Sequence, residues 1–177
     1  MELTGGPTQD EVMAISLYKL GIRAGDCVAD IGCGTGKVAV ELAGKAGRVV
    51  AIDRRSEAVA CTRSRAETSG ACNITVMHGE ATALLPSIGN LDCAFVGGSG
   101  DLEAVLSLLS TRVKRTIVVN AVLLDTVQRA VRAMQDLGMF REVVHVQVAR
   151  SYPLAGSIAL KPINPVYIIV GEVKEVC

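Results

Sequence analysis

The sequence predicts an α/β domain built on a mostly parallel sheet flanked by helices. Three observations lead there. Short apolar runs rich in Val, Ile and Ala alternate with longer segments of helical period, the pattern of strands joined by crossover helices. The glycine-rich stretch Asp30-Ile31-Gly32-Cys33-Gly34-Thr35-Gly36 follows the first apolar run and opens a helix, the position at which open parallel sheets bind ligands. The 177 residues amount to about one domain of ~150, and a mean hydropathy of +0.40 excludes a disordered chain.

Each element has its own signal. A first helix is expected over about residues 9–20, with Thr8 and Glu11 as a capping box and Gly21 as its stop. Strand one is 27–31, followed by the glycine loop and a helix over about 37–46. Strand two, 49–52, ends at Asp53, and a helix follows over about 56–69. Strand three is 74–77. Strand four, 92–96, ends in Gly97-Gly98-Ser99-Gly100. A helix over 102–109 leads to strand five, 116–119, and the next helix, about 125–137, stops at Gly138. Two late strands are expected near 143–148 and 166–170, joined as an antiparallel C-terminal hairpin. Between them, residues 151–165 carry Pro153, Pro162 and Pro165 and read as a loop or a hairpin tip. Residues 1–177 are expected to form a single domain: an N-terminal helix region (1–24), a ligand-binding core (25–140) and C-terminal strands (141–177).

Composition narrows the function. Lys plus Arg (18) balance Asp plus Glu (18), so the basic footprint of a non-specific nucleic-acid binder is missing. Aromatic residues are 3% of the chain, too few for a base-stacking platform. The six cysteines show no C-x-x-C spacing and only two histidines could assist them, so no metal site is expected. Met1 to Pro7 lack a basic start and an apolar run, so no signal peptide is expected. Reduced thiols in the cytoplasm follow. No apolar run approaches the ~18 residues of a membrane span.

The chemistry concentrates after the strands. Glycines allow the backbone to turn sharply and approach a ligand without a Cβ in the way. The helix N-terminus beyond them offers unpaired N–H groups. The spacing is G-x-G-x-G with Asp30 just before it, not the G-x-G-x-x-G of a dinucleotide site. A carboxylate there suits a ligand carrying an α-amino group. Asp53, about 20 residues past the first glycine, is placed to accept both hydroxyls of a ribose. Glu80 and the backbone of Ala81 would flank an adenine ring, although Glu80 also reads as an exposed turn residue. Gly97, Gly98 and Ser99 leave room for a substrate beside the ligand's reactive group, or form a flexible entry to the next helix. Cys33 reads as a small filler, and His78 and His145 as a loop and a strand residue.

This set resembles the class I S-adenosylmethionine-dependent methyltransferases, which implies a Rossmann-like fold. Gly6-Pro7-Thr8-Gln9-Asp10-Glu11, the 96–100 loop, Asn120 to Thr126, Ala149-Arg150 and Asn164-Pro165-Val166 narrow it. The chain is similar to the decarboxylating precorrin (cobalt-precorrin) carbon-15 methyltransferases of cobalamin biosynthesis. The resemblance implies S-adenosyl-L-methionine as cofactor, held by Thr8, Gly32, Cys33, Gly34, Thr35, Gly36, Asp53 and Ala81, with Glu80 beside them. It implies an anionic tetrapyrrole substrate, a homotetramer, and a carbon-5 precorrin methyltransferase as functional partner. The family pattern departs at Asp101, often Gly, and at Asp125, often Glu.

A multiply carboxylated substrate needs cations although the chain is neutral. Arg150 and Lys161 bracket the late loop, which is expected to fold over the cleft beside residues 97–100; Arg54 also reaches the rim. The catalytic group for decarboxylation cannot be named from the sequence. Self-association is expected through the last strands, which read as apolar on both faces. Two other classes stay open: a methyltransferase acting on RNA or protein, and a nucleotide-binding module without catalysis.

Overall fold

The computed structural model describes residues 8–98 and 100–173. In chain order the elements are α1 (Asp10–Leu20), β1 (Cys27–Ile31), α2 (Lys37–Ala43), β2 (Arg48–Asp53), α3 (Ser56–Ser69), β3 (Ile74–His78) and α4 (Ala81–Leu84). A short 3₁₀ turn, β4 (Leu91–Val96), α5 (Leu102–Ser110), β5 (Val113–Ala121) and α6 (Leu124–Asp136) follow. β6 (Phe140–Val146), β7 (Ala149–Leu154), β8 (Ser157–Pro162) and β9 (Val166–Glu172) close the chain.

Seven strands form the main sheet in the order β3-β2-β1-β4-β5-β9-β6. The first five run parallel; β9 pairs antiparallel with both β5 and β6. Strand order reverses between β1 and β4, which places the carboxyl ends of these two strands at the switch point. Side chains alternate across the sheet. Val28, Phe95 and Val118 pack with Val12 and Leu17 of α1 and Val38 and Leu42 of α2. Ile31, Val96 and Val119 face the opposite way, onto Leu106 of α5 and Met134 of α6. Both faces of the central strands are therefore covered, which explains their continuous apolar runs.

At the amino end of the sheet, Asp26 and Arg115 tie β1 to β5. Arg115 Nη2 and Nη1 donate to Asp26 at 2.6 and 3.1 Å, and Nη2 also lies 3.2 Å from Gly21 O and from Cys93 Sγ. Asp26 is nearly buried, and Arg115 holds its carboxyl below the usual range.

Four expectations are corrected. The capping box does not form: the N-cap is Gln9, without a side-chain cap, so Glu11 is one position too early to close the box and pairs with Arg150 instead. α2 ends at Ala43, where Gly44 breaks it and Lys45 and Ala46 both turn back onto Leu42 O. Residues 149–162 follow the hairpin alternative but not as a tip between the two late strands: they form a separate two-stranded sheet, with Ala155 and Gly156 at φ +47° and +77° in the turn. Its two strands are both edges, so Pro153 and Pro162 break no inner ladder. The direct 143–148 to 166–170 hairpin is thereby interrupted, although β6 and β9 do pair antiparallel. Finally, β6 alternates between exposed and half-buried residues instead of being apolar on both faces. The exposed large apolar side chains cluster on the β7–β8 hairpin, at Tyr152, Leu154, Ile158 and Leu160, and at residues 122–124, with Tyr18, Leu137 and Val143 exposed singly.

Candidate functional site

The glycine loop is bent into place by the sheet. Gly32 N and Cys33 N both donate to Ile52 O, at 2.8 and 3.0 Å, and Gly36 N donates to Cys33 O at 2.8 Å. Gly32 and Gly36 adopt φ of +74° and +73°. A Cβ on Gly32 would stand 2.7 Å from Gly98 O, and one on Gly36 2.7 Å from Thr62 Cα. Neither position tolerates a side chain, for conformation and for space.

This loop and the ends of β1 to β4 enclose a cavity of about 420 Å³. Its walls are Thr8, Gly32 to Thr35 and Lys37 on one side, Asp53 to Arg55 on a second, and Gly79 to Ala81 on a third. Phe95, Gly97, Gly98 and Gly100 complete it, and Asp30 lies at its floor. Gly97 N donates to Ile31 O at 2.9 Å, so the β4 loop is anchored across the switch point.

Two buried carboxylates face this space, besides the exposed Glu80. Asp30 is fully buried and neither of its oxygens has a hydrogen-bond partner. Burial, reinforced by the charge of Asp53, pushes its carboxyl up to about 7, and the nearby Ala39 N–H, which falls short of hydrogen-bond geometry, offsets only part of this. Asp53 is the opposite case. Burial pushes it up, but hydrogen bonds from the Arg55 side chain, Arg55 N and Gly34 N outweigh that and leave it below the ordinary range. Gly34 N donates to Oδ2 at 3.0 Å, and Arg55 donates from N and Nε to Oδ1 at 3.0 and 3.1 Å.

The cations are arranged at the edges. Lys37 Nζ donates to Thr8 O at 2.8 Å and pairs with Asp10 at 2.5 Å, clasping the start of α1 against the loop. Arg54 is exposed, with Nη1 3.7 Å from Glu80 Oε1 and 3.6 Å from where a Gly100 Cβ would stand. It therefore spans the mouth from β2 toward both the β3 and β4 loops. His78 Nε2 lies 3.0 Å from Arg54 O. Cys33 is buried with Sγ 3.3 Å from Thr62 Oγ1, and burial pushes its thiol up to about 12; it is a filler, not a nucleophile.

Of the residues expected from the sequence, Thr8, Gly32, Cys33, Gly34, Thr35, Asp53, Glu80, Ala81, Gly97 and Gly98 line the cavity together. Gly36 sits just behind, as the N-cap of α2. Ser99 lies outside the described residues. Arg150 and Lys161 are cross-strand partners on the hairpin and do not line the cavity; Arg150 donates to Glu11 at 2.7 and 3.2 Å. Sequence reasoning missed Lys37, Arg55 and Phe95. Their signal was only adjacency to Gly36, Asp53 and the β4 loop, because the reach of a long side chain is set by tertiary packing.

The family model of the precorrin methyltransferase domain matches residues 2–172. The chain belongs to this family. A relative from Methanosarcina acetivorans, named "Probable cobalt-precorrin-6B C(15)-methyltransferase (decarboxylating)", is 48% identical, over 97% of this chain and 96% of its own. The crystal structure of a precorrin 8W decarboxylase from Methanobacterium thermoautotrophicum superposes with a TM-score of 0.91 at 36% identity, covering 94% of this chain and 91% of that one. A precorrin-6y C5,15-methyltransferase from Geobacter metallireducens gives 0.90 at 32% identity, covering 96% and 91%. The precorrin methyltransferase chain described here has the class I methyltransferase fold, with the antiparallel β7–β8 hairpin as an addition to it.

Proposed function

We propose that this protein transfers a methyl group from S-adenosyl-L-methionine to carbon 15 of cobalt-precorrin-6B and releases the ring C acetate carboxyl as carbon dioxide. The observation that carries the reading is the cavity at the switch point, with one buried carboxylate lacking a partner and a second buried one held by Arg55 and Gly34. Its residues fit the donor. The glycine loop leaves no Cβ in the cradle; Asp30 meets an ammonium, which supplies the missing partner of its orphaned oxygens. Asp53 would accept the ribose hydroxyls, and Glu80 and Ala81 would flank the adenine. Thr8 closes the cavity from the α1 side.

When bound, the donor supplies an electrophilic sulfonium methyl. The chain's task is alignment, and holding two reactants in line can supply much of the rate. An electron-rich macrocycle carbon needs no strong base, in keeping with a cavity that holds no histidine side chain among its lining residues. Loss of carbon dioxide breaks one C–C bond, and its electron pair enters the conjugated ring. Gly97 and Gly98 leave space for that ring beside the donor, and Arg54 at the mouth offers a guanidinium for its carboxylates. Arg150 and Lys161, on one face of the hairpin, serve the same anionic substrate if the hairpin closes over the cleft.

A homotetramer fits this reading, with the uncovered apolar hairpin as its contact. A carbon-5 precorrin methyltransferase is the functional partner that the reading implies. Free thiols at Cys27, Cys33, Cys61, Cys72 and Cys93 suit the cytoplasm.

The test is to offer methyl-labelled donor with cobalt-precorrin-6B, with unmodified tRNA, or with a mixed protein extract. Label should enter the macrocycle alone. Transfer to RNA or protein, with none to the macrocycle, overturns the assignment.

A further inference from the structure

Among the described residues, three buried side-chain atoms have no hydrogen-bond partner: the two oxygens of Asp30 and Nδ2 of Asn120. The first two are accounted for by the donor cavity. Asn120 is not, and it stands at the carboxyl end of β5. Its Oδ1 lies 3.0 Å from Ser16 Oγ, whose single proton is shared with Val12 O at 2.8 Å. A carboxylate only accepts, so the orientation that matters is this one, with Oδ1 toward Ser16 and Nδ2 left to donate. Buried amides without partners are rare because they cost stability.

Position says what the amide is for. Val119 is level with Val96 in the β4–β5 register, so Asn120, one residue on, is level with Gly97. The contact with Ser16 puts its side chain on the α1 face of the sheet. That is also the face of Phe95, toward which a Gly97 Cβ would point, at 3.3 Å from Cε1. Phe95 and Gly97 line the cavity, and Asn120 stands one strand over from Gly97, beside the lining and not part of it. The ends of β1, β2 and β3 are taken up by the donor, so the methyl acceptor approaches from the β4–β5 side. Directly after Asn120 the chain exposes Val122, Leu123 and Leu124, at 54%, 68% and 64%, an apolar strip against which a flat conjugated ring can lie.

We infer that Asn120 is a substrate-binding residue whose unpartnered amide hydrogen-bonds a carboxylate of the macrocycle at the methyl-transfer end of the site. This rests on the proposed function. Folding tolerates the orphaned amide because the substrate completes it.

The test is Asn120→Leu, of similar shape and without the amide. Ser16 keeps Val12 O as acceptor, so the variant strands no donor. The expected result is a melting temperature equal to or above wild type, unchanged S-adenosylmethionine affinity by calorimetry, and a KM for cobalt-precorrin-6B raised about tenfold to a hundredfold, with kcat much less affected. A lowered melting temperature with an unchanged KM overturns the inference and makes Asn120 a structural support for α1. Should Asn120→Leu fail to fold, Asn120→Asp keeps the shape and adds a charge that repels the substrate carboxylate; a KM within twofold of wild type then overturns it. If wild type itself methylates no macrocycle, the proposed function fails and takes this inference with it. If wild type turns over and both variants match it, this inference fails alone.

Discussion

Asp30 is a carboxylate folded into a place where no group of the chain makes a well-formed hydrogen bond to it. Its carboxyl is held up to about 7, first by burial and then by Asp53, whereas an unfolded aspartate titrates near ~3.9. Between these values the unfolded chain gives up its proton while the folded chain keeps it. The stability involved is therefore full below about pH 4, falls as pH rises, and levels off above about pH 7. The swing is on the order of 4 kcal/mol. Asp30→Asn should flatten that slope in urea melts and raise stability at pH 8, while weakening S-adenosylmethionine binding. A variant that loses stability with pH in parallel with wild type would assign the slope to another group. Asp53→Ala should cost the donor about 1–3 kcal/mol of binding, the worth of hydrogen bonds to buried partners. Unchanged affinity by calorimetry would take Asp53 out of the site. The place of both aspartates at the cavity was legible in the sequence because it follows from local spacing at strand ends. Arg55 and Lys37 were not, since their partners depend on rotamers that no spacing rule fixes.

At the scale of elements, the parallel half of the sheet was readable almost residue by residue. Strands buried on both faces announce themselves as short apolar runs, and 27–31 and 56–69 coincide with β1 and α3. The reading weakened where local signals are ambiguous. Prolines between residues 151 and 165 leave loop and hairpin tip equally open, and a ribbon that is all edge accommodates them. β5 is longer than its apolar centre because β4 and β9 pair with it along both edges, drawing Lys114 and Arg115 into the strand. That extension is what brings Arg115 to Asp26. Arg115→Met should cost about 2–4 kcal/mol, because it leaves a nearly buried carboxylate without its partner. Asp26 has a lowered carboxyl pKa, so this contribution is present above about pH 4 and is lost as pH falls below it. Chemical denaturation at pH 7 and pH 3 checks both; an equal loss at the two values would mean that Arg115 acts through packing alone.

For the whole molecule, apolar composition foretold a surface in need of cover but misplaced it. β9 carries Ile168, Ile169 and Val170 into the core, and the uncovered residues are on the hairpin, where neither face packs on the domain. Ile158 and Leu160, exposed at 77% and 69%, lie on one of those faces by the β7–β8 register. Replacing both by Lys should reduce the assembly toward the 18.5 kDa chain in light scattering, with the fold unchanged by circular dichroism. Wild type that is already a monomer at micromolar concentration would contradict association. In the proposed reaction one cavity serves two bond changes on one macrocycle. A single-turnover reaction with methyl-labelled S-adenosylmethionine and cobalt-precorrin-6B, in which label in the product and released carbon dioxide are measured together, tests this. One labelled methyl should be gained for each carbon dioxide lost, with both abolished or slowed alike by Asp53→Ala. Methylation without decarboxylation, or carbon dioxide release without the donor, would contradict it.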